Sequence, residues 1–478
     1  MIKKKLFGGF FVFDLNKFIA EINNVAWLPI YFLLLFLGIY FCFKTNFFHI
    51  RKFGFILKKT FGLSLNNEEK NLKGEFTPFQ AVSTSLASTV GAGNIVGVTV
   101  SIVNGGPGSI FWIWIVAIFG MIIKYSEIVL ALKFRERNKN GEWCGGPMYY
   151  IQNGLKNKIW AYVFAIFMIL YVVCGVNIVQ ANSIAGIINE YIGLKKIFSG
   201  FIFAIIIFLV IFNGMQSIGK VTERLVPFMC VLYFFGSLFI LVTNYKLIPG
   251  ALINIFSEAF KTKSIYGGAT YGILLALRYG IARGIHSSEA GMGTSPIAQA
   301  SSHLKNPVEQ GLYGIIEVFV SLLIICTSTA LVILTSGIYD QNIYLLNFGP
   351  DNLSKNNLPT GIVLVAKSFA KKLGENRADL FIMLSVILFA LSTIIGSFYY
   401  GLKSCEFVFK NKFIWVYKLF FLVTVVAGSV INARIAWELH DMALTLVTLI
   451  NLVSIFLLKK LVVDETKIYF NGNKKIDS

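Results

Sequence analysis

Long uninterrupted apolar runs restrict the fold of this chain more than any other feature. They fall at about 27–43, 78–103, 108–132, 160–190, 197–213, 224–243, 266–300, 310–336, 379–402, 413–432 and 436–458. Each is long enough to cross a lipid core as a helix. Backbone N–H and C=O groups find no water there, so a spanning segment must pair them internally. A β-barrel would instead show segments of about ten residues with alternating polarity. The pattern predicts an all-α integral membrane protein with about 11 transmembrane helices. Only 14% of the 478 residues are charged, against about a quarter in a soluble domain. Little length is left for a separate soluble domain.

The formal net charge is +19. On a soluble chain this would suggest nucleic acid, but here the basic residues lie mostly between apolar runs, where lipid headgroups and topology account for them. The expected surroundings are therefore a bilayer, with no nucleic-acid partner. The six cysteines are scattered without CxxC spacing and the four histidines form no metal-like pair, which argues against a metal cluster or a disulfide framework. Placing the C-terminus in the cytoplasm puts 24 basic residues in inside loops and 15 in outside loops. That bias predicts an outside N-terminus, although Lys3, Lys4 and Lys5 oppose it. Met1 to Phe13 reads as a retained interfacial helix, since no small-residue cleavage site follows the apolar run. Ile248 to Lys261 and Pro359 to Lys372 read as short helices over an outer vestibule or as plain connecting loops.

Two spans carry residues that an ordinary lipid-facing helix does not. The run 83–97 is Ser-Thr-Ser-Leu-Ala-Ser-Thr-Val-Gly-Ala-Gly-Asn-Ile-Val-Gly. Its glycines permit either unwinding or close helix packing. The run 278–293 holds Arg278, Arg283, His286, Glu289 and four glycines. Charge at membrane depth faces protein or water and usually marks function. With the first span set aside, these are the first and sixth of a ten-span core. Interruptions at matching positions of two halves point to a secondary transporter built from inverted repeats. Unwinding frees carbonyls at the end of one half-helix, which suit a dehydrated cation. It frees N–H groups at the start of the next, which suit a carboxylate. Elsewhere, Asn177 and Gln180 in the 160–190 span are either ligand contacts or interhelical glue. Ser392 and Thr393 either supply two oxygens to a cation or bond their own i−4 carbonyls. No nucleophile, metal cluster or paired-carboxylate motif suggests an enzyme. A proton-coupled carrier using Glu289 or His286, a channel and a purely structural membrane protein are the rival readings.

The chain resembles the alanine or glycine:cation symporter family. The likeness rests on Val90-Gly91-Ala92-Gly93-Asn94-Ile95-Val96-Gly97-Val98, Gly105-Gly106-Pro107-Gly108, Lys124-Tyr125-Ser126-Glu127 and Gly145-Gly146-Pro147-Met148-Tyr149-Tyr150. It extends through Ala282-Arg283-Gly284, Ser288-Glu289-Ala290-Gly291-Met292-Gly293 and Phe389 to Gly401. The resemblance implies a 5+5 inverted-repeat core of the leucine-transporter type, with discontinuous first and sixth core helices and one extra N-terminal helix. The expected division is residues 1–75, a first repeat at 76–245, a second at 246–460 and a cytoplasmic tail at 461–478. It also implies import of alanine or glycine, in either chirality, by symport with Na⁺ through alternating access in a prokaryotic cell membrane. No organic cofactor is expected, and a monomer suffices. Substrate contacts would come from Thr89, Gly91, Gly93 and Asn94 of the first break, Gln180, and Arg283, Gly284, Ile285 and His286 of the second break. By analogy with the fold, Na⁺ would bind the carbonyls of Ala87, Val90 and Phe389 with the hydroxyls of Ser392 and Thr393. The sequence departs from the family pattern at His286-Ser287-Ser288, where Phe-Ser-Asn is usual. It departs again at Leu449-Ile450-Asn451-Leu452, which lacks a proline, and at Ser397 in place of a Trp.

Overall fold

A computed structural model describes residues 15–65, 75–261, 271–346, 358–410 and 412–474. The Met1–Phe13 segment lies outside these, as does the start of the 266–300 run. The described chain is almost wholly helical. Its one sheet is a two-residue antiparallel pair, β1 (Glu136–Arg137) with β2 (Trp143–Cys144).

The helices include α1 (Leu15–Lys44), α2 (Pro78–Thr89), α3 (Gly93–Gly105), α4 (Ser109–Lys133), α5 (Lys158–Ile192), α6 (Lys196–Phe212), α7 (Met215–Thr243) and α8 (Ile248–Ala259). They continue as α9 (Tyr271–Ser288), α10 (Ser295–Gln299), α11 (Pro307–Thr335), α12 (Gly361–Leu373), α13 (Glu375–Phe409), α14 (Ile414–Val430) and α15 (Ala433–Lys474). Among the described residues, seven helical stretches are long and apolar enough to cross a membrane, with α2 and α3 counted as one, and three further apolar helices are shorter. Both stretches left open as helix or loop, at 248–261 and 359–372, contain helices, α8 and α12.

Burial is graded as a lipid environment requires. The α4 helix is apolar on most of its circumference and buried through nearly all of it. By contrast, α6 and α14 turn large apolar side chains outward, among them Phe201, Ile205, Leu209, Trp415 and Leu419. Such continuous exposed apolar faces are tolerated where the surroundings are hydrocarbon.

The start of α2 is firmly set. Thr77 and Gln80 form a reciprocal capping box, Gln80 N to Thr77 Oγ1 at 3.1 Å and Thr77 N to Gln80 Oε1 at 3.2 Å. Pro78 stands at the first helical position. Just before it, Phe76 pairs as a β-bridge with Ser302, beyond the end of α10. Arg135 clamps the same strand by donating to the carbonyls of Ala300, Ser302 and Leu304 at 3.0, 2.6 and 2.7 Å. The two interrupted elements, α2–α3 and α9–α10, are thus tied together at one end.

The first interruption falls where the sequence places it. Val90 leaves helical geometry at φ −94°, ψ 88°, and α3 begins at Gly93. The second falls later than expected. Residues 283–286 are helical, and the chain unwinds only from Glu289 to Thr294. Glu289, Gly291 and Gly293 there take φ of 53°, 88° and 77°. The earlier glycines serve packing instead. A Cβ on Gly280 would strike Ser109 and Trp112, and one on Gly284 would lie 2.9 Å from Val116 Cβ. They bring α9 against α4 rather than loosening it.

Candidate functional site

The two interruptions face one another across a small polar cavity. Ser88, Thr89, Gly91, Gly93 and Asn94 come from the first break, His286 and Glu289 from the second, Tyr171, Val176 and Gln180 from α5, Thr393 from α13 and His440 from α15. The open space left between them is small, about 10 Å³. The wall from α5 lies where a π-helical turn, Tyr171–Val176, hands over to α-helix at Asn177.

Of the residues expected to touch substrate, Thr89, Gly91, Gly93, Asn94, Gln180 and His286 line this cavity. Arg283, Gly284 and Ile285 do not. Arg283 lies 3.8 Å from Asp441 and over the Trp437 ring, Gly284 is pressed on α4 and Ile285 is fully buried core. The reason is the later unwinding: while α9 stays helical, successive residues turn to different faces and only His286 points inward.

Gly91 and Gly93 present bare backbone to the cavity. A Cβ on Gly93 would come within 2.5 Å of His286 Nε2, and one on Gly91 would overlap Thr393 Oγ1 and approach Gln180 Nε2 at 3.3 Å. Asn94 acts as a strut. Its Oδ1 accepts from the Gly91 N–H at 3.0 Å, and its Nδ2 donates to the Ser287 carbonyl at 3.2 Å. This ties the two broken elements together. Gln180 is fully enclosed, and its Oε1 has no hydrogen-bond partner among the described residues. A buried amide oxygen left without a donor marks a place for one. Asn177 also has an unpartnered Oδ1, but it does not line the cavity, and its Nδ2 donates to Phe421 O at 2.8 Å and Thr424 Oγ1 at 2.7 Å on α14, as interhelical glue would.

Beside the cavity, five oxygens converge. Ser392 Oγ donates to Phe389 O at 2.8 Å and lies 3.3 Å from Ala87 O. Thr393 Oγ1 donates to Phe389 O at 2.8 Å and lies 3.5 Å from Ser88 O. Each hydroxyl therefore bonds a carbonyl of its own helix, the second of the two readings, and also reaches across to α2. Gly396 allows that approach, since a Cβ there would sit 2.8 Å from Ser88 N. Carbonyl and hydroxyl oxygens at a helix's negative end suit a small hard cation. Ala87, Phe389, Ser392 and Thr393 are thus brought together as expected, and Ser88 joins them. Val90 is buried at the end of α2, its N–H bonded to Leu86 O.

Several polar residues were not singled out as site residues from sequence. Glu289 lines the cavity, and its carboxylate accepts from Ser88 Oγ at 2.8 Å, Thr294 Oγ1 at 2.8 Å and Thr89 Oγ1 at 3.4 Å. His440 Nε2 and His286 Nδ1 share a hydrogen bond of 2.9 Å. Glu127 holds the second break by accepting from Gly293 N at 3.1 Å and from Asn451 Nδ2, while Asn451 Nδ2 also donates to Gly291 O at 2.9 Å. Asn451 does this from α15, which runs on as helix through the position of the missing proline. Lys124 and Glu317 pair at 2.9 Å with no solvent exposure. The available signal was a lone charge or amide inside an apolar run.

Comparison with known proteins covers nearly the whole chain. A family model described as the sodium:alanine symporter family matches residues 13–478. A transporter of uncharacterised function from Bacillus subtilis, YflA, is 36% identical over 93% of this chain and 92% of its own. The sodium/alanine symporter AgcS of Methanococcus maripaludis is 35% identical over 95% of this chain and 97% of its own. Among solved structures, a manganese transporter of Eremococcus coleocola superposes with a TM-score of 0.52 at 12% identity, over 82% of this chain and 78% of that one. That likeness carries the fold, of the leucine-transporter type, and nothing of the cargo.

Proposed function

Because the chain belongs to the sodium:alanine symporter family, a family of multi-pass transporters, we propose that it imports a small neutral amino acid together with Na⁺ by alternating access. Alanine or glycine is the substrate, with D-alanine inside the same range. The observation that carries this reading is the five-oxygen cluster at Ala87, Ser88, Phe389, Ser392 and Thr393 next to the cavity between the two breaks. One short element, residues 87–93, contributes to both places, so cation and amino acid are coupled through it. The amino acid's carboxylate meets the positive end of α3 at Gly93, beside the Gly91 N–H that Asn94 caps. Glu289 lines the same cavity, bonded to Ser88 and Thr89, and its carboxylate suits the ammonium group. Gln180 supplies the acceptor that a bound ligand satisfies.

The driving force is adequate. At ~100 mV one charge supplies about 2.3 kcal/mol, and a roughly tenfold Na⁺ gradient adds about 1.4 kcal/mol. One Na⁺ supports an amino acid gradient of several hundredfold. In this reading residues 76–245 and 246–460 are the two inverted repeats, the N-terminus is outside, the C-terminus is cytoplasmic and a single chain transports.

Uptake of radiolabelled alanine into proteoliposomes tests the proposal. An inward Na⁺ gradient is expected to drive accumulation and a pH gradient without Na⁺ is not. The reverse result would favour a proton-coupled carrier working through Glu289. Unlabelled glycine, serine, D-alanine and glutamine as competitors define the substrate range. Gln180→Leu keeps the shape but removes the acceptor. It is expected to raise the alanine concentration for half-maximal uptake about tenfold, the loss of roughly one buried hydrogen bond. An unaltered value would remove Gln180 from the binding surface.

A further inference from the structure

Lys124 stands on α4, a helix otherwise almost free of charge, and its side chain has 0% exposure. Its ammonium pairs with Glu317 Oε2 of α11 at 2.9 Å, donates to the Ser288 carbonyl at 2.6 Å and donates to Thr89 Oγ1 at 3.1 Å. Thr89 shares its one hydroxyl proton between Ser85 O at 3.0 Å and Glu289 Oε2 at 3.4 Å, and its oxygen lone pairs accept from the lysine. Thr89 is the last residue of α2, and Ser288 is the last of α9. The last residues of both broken helices therefore meet at one ammonium group, Ser288 through its carbonyl and Thr89 through its hydroxyl. The Glu289 carboxylate follows Ser288 directly and shares Thr89 with the lysine. Without a positive charge, the Ser288 carbonyl end and the Glu317 and Glu289 carboxylates would gather around the Thr89 hydroxyl in a dry interior.

We propose that Lys124 is a built-in cation of the transport site: it occupies the junction where a second co-transported ion would otherwise bind, so each cycle moves a single Na⁺. This rests on the Na⁺ symport reading and adds the stoichiometry and the residue that sets it. The two cation positions differ in kind. At Ala87, Phe389, Ser392 and Thr393 the donors are neutral oxygens, to which an ion can come and go. At Thr89, Ser288 and Glu317 the ion is tethered to the protein and crosses no membrane. Lys124 is a positioning residue: it holds the ends of both breaks together without lining the cavity.

The test is the charge carried per alanine, read from reversal potentials of the full-length protein in proteoliposomes under set alanine and Na⁺ gradients. The wild type is expected to move about one elementary charge per alanine, and a ratio of about two overturns the proposal. Lys124→Met leaves Glu317 and the two helix ends without their cation. Na⁺ is expected to enter there, so the ratio rises about twofold and the Na⁺ dependence of uptake steepens. A K124M protein that transports alanine with the wild-type ratio and steepness refutes the assignment. Should K124M not accumulate, the double variant K124M/E317Q removes cation and anion together. It is expected to keep the ratio near one, and a folded double variant carrying about two charges counts against the proposal. Wild-type uptake that ignores Na⁺ altogether would sink the symport reading instead, an outcome separable from a Na⁺-driven ratio of two.

Discussion

Gly91→Ala is expected to lower Na⁺-driven alanine uptake about 100-fold or more while the protein still folds and reaches the membrane. The added methyl group overlaps Thr393 Oγ1 and comes within 3.3 Å of Gln180 Nε2. One collision displaces an oxygen of the cation cluster and the other crowds the substrate wall. Overpacking a tight interior typically costs about 1–3 kcal/mol, and each 1.4 kcal/mol is a factor of about ten. Two collisions in one place, each acting on a different ligand, reach the stated loss. Gly97→Ala is the matching control on the same element. Its Cβ would meet only Arg283 Cδ at 3.6 Å and Ser287 Oγ at 3.8 Å, and alanine favours helix by about 1 kcal/mol over glycine. Near wild-type uptake is expected from it. Equal uptake by the two variants would show that Gly91 serves packing rather than transport.

The second large effect is on the cation. Thr393→Ala removes one of five converging oxygens, the one that lies against both Phe389 O and Ser88 O. A polar contact to a charged group contributes about 1.5–3 kcal/mol. The Na⁺ concentration for half-maximal uptake is therefore expected to rise roughly 10- to 100-fold. Transport at saturating Na⁺ should be largely kept, because the hydroxyl belongs to ion binding. Thr393→Ser retains the oxygen and should stay close to wild type. If Na⁺ titrations of the alanine and wild-type proteins coincide, Thr393 has no part in ion binding and the cluster must be reassigned.

Local reading of the chain went furthest where the feature it relied on is itself local. Helices come from unbroken apolar runs, a feature carried by adjacent residues. The first break was placed correctly because hydroxyls and glycines coincide at 88–93. The second was placed several residues early because Gly280 and Gly284 look the same in sequence as Gly291 and Gly293. The first pair packs against Ser109, Trp112 and Val116 of α4, whereas the second adopts positive φ. Whether a glycine is small for a neighbour or flexible for the backbone depends on what stands opposite it.

The amides divide the same way. Asn177, Gln180 and Asn182 are close in one apolar helix and indistinguishable by composition. The Nδ2 groups of Asn177 and Asn182 donate to carbonyls and a hydroxyl of α14, including Gly428 O at 3.2 Å from Asn182. Gln180 alone faces the cavity.

What the amino-acid order determined unaided is the membrane, the helices and the fact of two interruptions. Each follows from free energies that neighbouring residues settle among themselves: hydrocarbon rejects unpaired backbone groups, and glycine or buried charge disfavours a plain lipid-facing helix. Only the tertiary structure decided where the chemistry sits. The oxygens at Ala87 and Ser392 are 305 positions apart, and Lys124 meets Ser288 across 164. A charge buried alone is prohibitive and the same charge among the right partners is stable, so its role is set by groups that the chain brings from far away.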